Sequence, residues 1–263
     1  MDFNWYNKML QGRCIYRSQQ NIEVFENSQY RWIQFNARFI QSMISKKKPH
    51  LPVLPYLPHF LLFTRIFPGN ICLLGLGGGC ALHVLSLHLN HALVAVERYE
   101  DMIHIAKTFF NIPEHPNIHI VHDSAEHFIA NTQNQYRHLL IDLGDKEGFP
   151  ESCRNQTFID HCYHALQDKG ILMLNLSHYP DLNFFKPLLK LQFSQSPLVI
   201  EADGNWILSV GKKISRDDIL QKLQQMGYLK SHHWHPGHGE LLTLHPAWLI
   251  KIKQFFLKFL DAN

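Results

Sequence analysis

At 263 residues with 46% apolar content and a formal charge of +3, the chain can build one substantial core plus a small appended domain. Its basic residues are scattered except for Lys46-Lys47-Lys48, which reads as a solvated turn, so the composition excludes a nucleic-acid footprint. Five cysteines without a Cys-x-x-Cys pair, an N-terminus lacking a basic start before an apolar core, and no segment of the ~20 apolar residues a membrane helix needs point to a soluble, cytoplasmic protein with reduced, buried thiols.

Apolar and polar residues alternate from Ile15 to Phe35, and Asn27-Ser28-Gln29 breaks the run between Ile22–Glu26 and Tyr30–Phe35, which predicts an antiparallel hairpin. Pro49, Pro52, Pro55 and Pro58 follow at every third position and favour extended backbone, either a tethering linker or a proline-rich docking motif, with Pro58 able to open a short helix through Phe67. After Gly69 the rhythm changes. Strands are expected at Ile71–Leu74, Ala92–Val96, Ile118–Val121, Leu139–Ile141 and Ile171–Leu176. Helices are expected between them at Ala81–Leu89, Tyr99–Phe110, near Glu126 and at Thr157–Leu166. Alternation at this spacing argues for parallel strands with helical crossovers. Leu198–Ala202 and Trp206–Val210 flank Asp203-Gly204-Asn205, a turn signal for an antiparallel hairpin that closes the sheet. Amphipathic helices at Arg216–Met226 and Ala247–Leu260 complete the outer layer.

The expected fold is therefore α/β, a methyltransferase-type Rossmann sheet in which parallel strands are closed by an antiparallel hairpin, with a small N-terminal β domain. Residues 1–65 would form the hairpin domain and proline-rich segment, and residues 66–263 the Rossmann-like domain.

The chemistry concentrates between Ile71 and Asp145. The loop Gly75-Leu76-Gly77-Gly78-Gly79 follows the first parallel strand, where Gly75 and Gly77 let the backbone approach a ligand closely. It lacks the third glycine of the dinucleotide fingerprint and a nearby basic residue for a phosphate, which disfavours a dinucleotide. Glu97 ends the second strand, where a carboxylate accepts hydrogen bonds from both hydroxyls of a ribose; alternatively it is a solvated acid opening a loop. Asp123, followed by Ser124, ends the third strand; a polar side chain there meets the exocyclic amine of an adenine, caps the next helix, or does both. Asp142 and Asp145 lie in the loop after the fourth strand, with Gly144 and Gly148 nearby. Two close carboxylates would hold a cationic amine, and one could remove its proton to make the nitrogen nucleophilic; solvated loop acids are the alternative.

On these residues, Ile71–Leu176 resembles the catalytic domain of the spermidine synthase family, the aminopropyltransferases that use decarboxylated S-adenosylmethionine. Glu97, Asp123, Asp142, Asp145, Gly148 and Glu151 fall on that family's motif positions, and the N-terminal hairpin with Ile40-Gln41-Ser42 resembles its small β domain. The resemblance implies that Asp142 is the general base and Asp145 a ligand for a small-molecule amine substrate, and that the protein is a homodimer. Two departures stand out. The family carries a donor-binding aspartate where this chain has Gly78, and its acidic, tyrosine-bearing gate is replaced by Lys46-Lys47-Lys48-Pro49-His50 and the proline run. Both remove negative charge from the amine half of the site. Three readings follow: aminopropyl transfer from decarboxylated S-adenosylmethionine, methyl transfer from S-adenosylmethionine, and a non-catalytic nucleoside-binding or dimerising homologue. The cluster His232-His233-Trp234-His235-Pro236-Gly237-His238 reads as a surface loop without a physiological metal site, because no cysteine or acid pair joins it at a recognisable spacing.

Overall fold

The computed structural model describes residues 11–35, 39–144, 148–235 and 239–244. Its N-terminal part is a four-stranded antiparallel sheet in sequential order, β1 (Arg13–Arg17), β2 (Ile22–Glu26), β3 (Tyr30–Phe35) and β4 (Phe39–Ser45). The expected hairpin is the middle of this sheet.

Both faces of the small sheet are used, which is why its strands alternate less cleanly than a solvated sheet's would. Ile22, Val24, Ile33 and Ile44 pack with Met102, Ile105 and Phe110. On the other face Trp32 and Met43 pack with Leu54, and Val53 joins them. The proline segment is therefore a packed cover at Val53 and Leu54, rather than the expected tether. Helix α1 (Tyr56–Phe60) starts two residues before Pro58, not at it, with Pro55 at its N-cap. Pro58 is tolerated because a first-turn N–H has no intrahelical partner to lose. Helix α2 (Leu62–Ile66) follows directly.

Among the described residues the main sheet has nine strands in the order β12-β13-β10-β11-β9-β8-β5-β6-β7. They are β5 (Ile71–Leu74), β6 (Leu93–Glu97), β7 (Ile118–His122), β8 (Tyr136–Ile141), β9 (Leu166–Leu176), β10 (Leu198–Ala202), β11 (Asn205–Gly211), β12 (Leu229–His235) and β13 (Gly239–Leu244). Strands β5 to β9 are mutually parallel, and β11 runs antiparallel to both β9 and β10. The helices are α3 (Cys80–Leu85), α4 (Glu100–Thr108), α5 (Ala125–Asn131), α6 (Gln156–Ala165), α7 (Tyr179–Phe193) and α8 (Arg216–Gln225). Because both faces are covered, the central strands read as continuous apolar runs. In β5, Ile71 and Leu73 join the core on one side while Cys72 and Leu74 join the core on the other.

Two stretches of chain differ from the sequence expectation. Helix α7 was not anticipated; it carries Pro187 in its interior yet buries Leu182, Phe185, Leu189 and Phe193 on one face. The pair β12-β13 extends the sheet beyond the closing hairpin, so His232, His233 and His235 lie on a strand instead of a surface loop, and His238 lies outside the described residues. The helix expected at Ala247–Leu260 also lies outside them. All five cysteines are unpaired, with Cys14 exposed against the expectation of burial. Among the described residues no helix is long and apolar enough to cross a membrane.

The chain passes from β5 to β6 on one side, while β8 pairs with β5 on the other. That reversal opens a crevice at the carboxyl ends of β5, β6 and β8, the place where ligands bind in open α/β sheets.

Candidate functional site

The glycine loop lies across this crevice. Gly75 N–H donates to the Val96 carbonyl at 2.9 Å, holding the loop against the end of β6. Gly75 has φ +96°, and a Cβ there would stand 2.2 Å from the Asp142 carbonyl oxygen, so only glycine fits between β6 and the loop after β8. Gly77 sits beneath the Ser42 hydroxyl. Gly78 N–H donates to Ser42 Oγ at 2.8 Å, so β4 of the small sheet caps the loop from above. A Cβ on Gly78 would lie 2.9 Å from both the Phe110 ring and Ser42 Cβ. The position that would carry an acid is filled by its neighbours.

Glu97 is the last residue of β6 and is 8% exposed. Its Oε2 accepts from Leu76 N–H at 3.1 Å and its Oε1 from Tyr99 N–H at 3.0 Å. Burial pushes its carboxyl above the usual range, and the backbone donors of Tyr99, Leu76, Gly77 and Arg98 pull it back. A buried carboxylate held by backbone donors can still accept from two adjacent hydroxyls. The alternative of a solvated loop acid is excluded by this burial.

Asp123 follows β7 and is held by its neighbours. Ser124 N–H donates to its Oδ1 at 2.7 Å, and His127 Nδ1 reaches Oδ2 at 2.8 Å. The N-cap of α5 is Ser124, whose Oγ accepts from His127 N–H, and not Asp123. About a quarter of the Asp123 side chain is exposed.

Asp142 sits past the end of β8, with its N–H on the Leu74 carbonyl. Each carboxylate oxygen takes one neutral donor, Asn175 Nδ2 to Oδ1 at 2.7 Å and Tyr56 OH to Oδ2 at 2.8 Å. Burial raises its carboxyl above the ordinary value, and the donors from Asn175 and Tyr56 oppose that rise. Burial, then the charge of Asp142, pushes the Tyr56 hydroxyl up, so tyrosine remains a donor. Behind Asn175, Asn205 Nδ2 donates to Asn175 Oδ1 at 3.0 Å. Asp145 lies outside the described residues. Gln41 Nε2 reaches the Gly144 carbonyl at 3.4 Å, so β4 touches both the glycine loop and the loop of Asp142. Glu151, another position of the family pattern, points to solvent with its side chain 90% exposed and pairs with Arg154. Lys46 binds Glu26 and the Asn27 carbonyl.

The expected residues Gly75, Gly77, Glu97 and Asp142 thus meet around one crevice, with Asp123 and Ser124 at the end of neighbouring β7. Four participants were not anticipated as site residues: Ser42, Tyr56, Asn175 and Asn205. Tyr56 lies within the proline run, whose spacing reports backbone shape and not side-chain contacts. Asn175 had a usable signal, a carboxamide interrupting the apolar run Ile171–Leu176. Among the described residues no three His, Cys, Asp or Glu side chains gather to hold a metal ion.

No family model matches the chain. It is 26% identical over 159 residues to a polyamine aminopropyltransferase of Neisseria meningitidis, a match covering 59% of this chain and 60% of that protein. It is 29% identical over 117 residues to the eEF1A lysine and N-terminal methyltransferase homolog of Drosophila melanogaster, covering 41% of this chain and 17% of that one. The chain therefore spans about 60% or less of the length of these curated relatives. Among solved structures, a probable spermidine synthase from Corynebacterium glutamicum superposes with a TM-score of 0.67 at 17% identity, covering 91% of this chain and 92% of that one. A spermidine synthase in complex with the transition state analogue AdoDATO gives a TM-score of 0.65 at 19% identity, covering 78% and 76%. The sheet order and these superpositions give the chain the fold of the spermidine synthases, and over about 60% of its length its sequence is similar to polyamine aminopropyltransferases.

Proposed function

We propose that the protein is a transferase that binds an adenosyl-sulfonium donor in the crevice and transfers a group from it to an amine. The observation that carries this reading is the placement of two buried or half-buried carboxylates, Glu97 and Asp142, on opposite sides of one glycine loop. Glu97 would take the two ribose hydroxyls, Asp123 the adenine edge with Ser124 beside it, and Gly75 and Gly77 the close backbone approach. A protonated amine with a pKa near 10 is not nucleophilic, so Asp142 has a task as the base that removes its proton. Asp145, in the same loop, would hold the amine. The nitrogen attacks the carbon next to the sulfonium, that carbon–sulfur bond breaks, and its electron pair leaves with a neutral thioether. With decarboxylated S-adenosylmethionine the transferred group is aminopropyl and the thioether is methylthioadenosine. The family resemblance extends this to a homodimer, which light scattering would test.

The filled position at Gly78 favours a second reading, methyl transfer from S-adenosylmethionine. An acid there would repel the donor's carboxylate and attract a decarboxylated donor's amine; Phe110 and Ser42 leave room for neither effect. The two readings separate by incubating the protein with putrescine and each donor in turn. Aminopropyl transfer predicts spermidine and methylthioadenosine from the decarboxylated donor, lost in Asp142→Asn. Turnover of S-adenosylmethionine alone to its demethylated thioether supports the second reading, and binding of neither donor would overturn both.

A further inference from the structure

We propose that Asn205 is a positioning residue that, acting through Asn175, holds Asp142 in its ionised state. This rests on the reading of Asp142 as the base. The chain of contacts runs from a hairpin turn to the carboxylate. Asp203 and Gly204 have φ of +51° and +90°, and Ala202 pairs with Asn205, so a two-residue turn places Asn205 at the first position of β11. Trp206 pairs with Leu176, which sets Asn205 beside the end of β9, where Asn175 stands. Asn205 Nδ2 then donates to Asn175 Oδ1 at 3.0 Å, and Asn175 Nδ2 donates to Asp142 Oδ1 at 2.7 Å.

The direction of this relay follows from what each group can do. A carboxamide has a donor end and an acceptor end, and an ionised carboxylate only accepts. With Asp142 ionised, Asn175 must turn its NH2 toward the carboxylate and its oxygen away. In this nearly buried place, 7% exposed, that oxygen meets the NH2 of Asn205. Take Asn205 away and the Asn175 amide loses the contact that fixes its orientation. A flipped amide would put an oxygen against Asp142 and favour the protonated acid. Tyr56 holds the other oxygen independently, from α1. Tyr56 and Cys80 are the titratable groups facing this cluster among the described residues, and burial holds the Cys80 thiol up at about 12. Both stay neutral where a carboxyl titrates, so they do not obscure the effect.

The test reads Asp142 directly and needs no acceptor. Carboxyl carbon-13 resonances of the labelled full chain are followed through a pH titration, and the Asp142 signal is assigned by its loss in Asp142→Asn. In Asn205→Leu, which keeps side-chain size and removes the donor, Asp142 is expected to titrate about half to one pH unit higher, the weight of one ordinary hydrogen bond. Asn205→Asp, an acceptor that adds a charge, is expected to raise it further. Asn205→Ser, too short to reach Asn175, replaces the leucine variant if thermal melting shows that variant to be unfolded. A merely structural Asn205 would change the melting temperature and leave the Asp142 midpoint where it is; that result overturns the proposal. Methylthioadenosine binding to the parent protein is measured in parallel. Its absence would count against the nucleoside reading while the titration still decides the relay.

Discussion

Gly78→Asp would put back the acid that the family resemblance places in the glycine loop, and the structure predicts that the fold resists it. The new Cβ would stand 2.9 Å from Phe110 Cε1 and 2.9 Å from Ser42 Cβ, closer than real Cβ contacts come. Neither neighbour can swing aside cheaply. Phe110 is 1% exposed and packed with Met102, Ile105, Ile33 and Ile44, and Ser42 is tied to the Gly78 N–H. Overpacking of this kind costs about 1–3 kcal/mol. Taking 2 kcal/mol as representative, the melting temperature should fall by roughly 4–8 °C for a chain of this size. The assay is a double-mutant cycle in urea. Phe110→Ala alone should cost about 3–5 kcal/mol, as deletion of a buried ring does. If the clash is real, the aspartate in that background should cost about 1–2 kcal/mol less than it does in the parent. A Gly78→Asp variant as stable as the parent, with no coupling to Phe110, would show that no clash exists there. It would also mean that the missing acid is a neutral replacement, without consequence for the choice of donor.

The remaining predictions test the rest of the site and the small sheet. Tyr56→Phe keeps the ring and removes the 2.8 Å donor to Asp142 Oδ2, so group transfer should slow by about 10- to 100-fold, as a hydrogen bond to a charged group implies, and the acidic limb of its pH–rate profile should move to higher pH. Gly75→Ala forces a side chain onto the Asp142 carbonyl in a left-handed backbone; calorimetry should find methylthioadenosine binding abolished, and a melt should show a loss of at least about 1–3 kcal/mol. Glu26, drawn down to about 2 by Arg31 first and then Arg13, is ionised more readily in the fold than in the unfolded chain, where the ordinary value is 4.5. Its contribution is therefore complete above pH 4.5 and lost as the pH falls toward 2, and Glu26→Gln should flatten stability against pH across that window in thermal melts.

The Rossmann core was legible because its strands are buried on both faces. Runs such as Ile71–Leu74 and Leu139–Ile141 leave no periodicity to confuse, and the turn residues between them are explicit. Glu97 and Asp142 could be picked out because sheet topology alone brings strand ends together. What failed did so for physical reasons. Helix α7 carries Pro180 and Pro187, and two prolines hid the spacing of Leu182, Phe185 and Leu189. Strand β4 was missed because its pattern serves packing and a polar site at once, with Gln41 and Ser42 reaching the loops they cap. Strand β12 was masked by its histidines, which carry no strand signal. Tyr56 and Asn205 touch the site only through contacts spanning 86 and 30 positions of sequence, and no local pattern reports those. The reach of Asp142's partners is a tertiary fact.

On the proposed function, Glu97 anchors the ribose of an adenosyl group in the crevice. Isothermal calorimetry of methylthioadenosine against the parent chain, Glu97→Gln and Glu97→Ala tests it without knowledge of the acceptor. The nucleoside is expected to bind the parent, and both variants, shown folded by their melts, to bind at least about tenfold more weakly, because hydrogen bonds to a charged group are lost. Equal affinity in all three, or no binding to the parent, would contradict it.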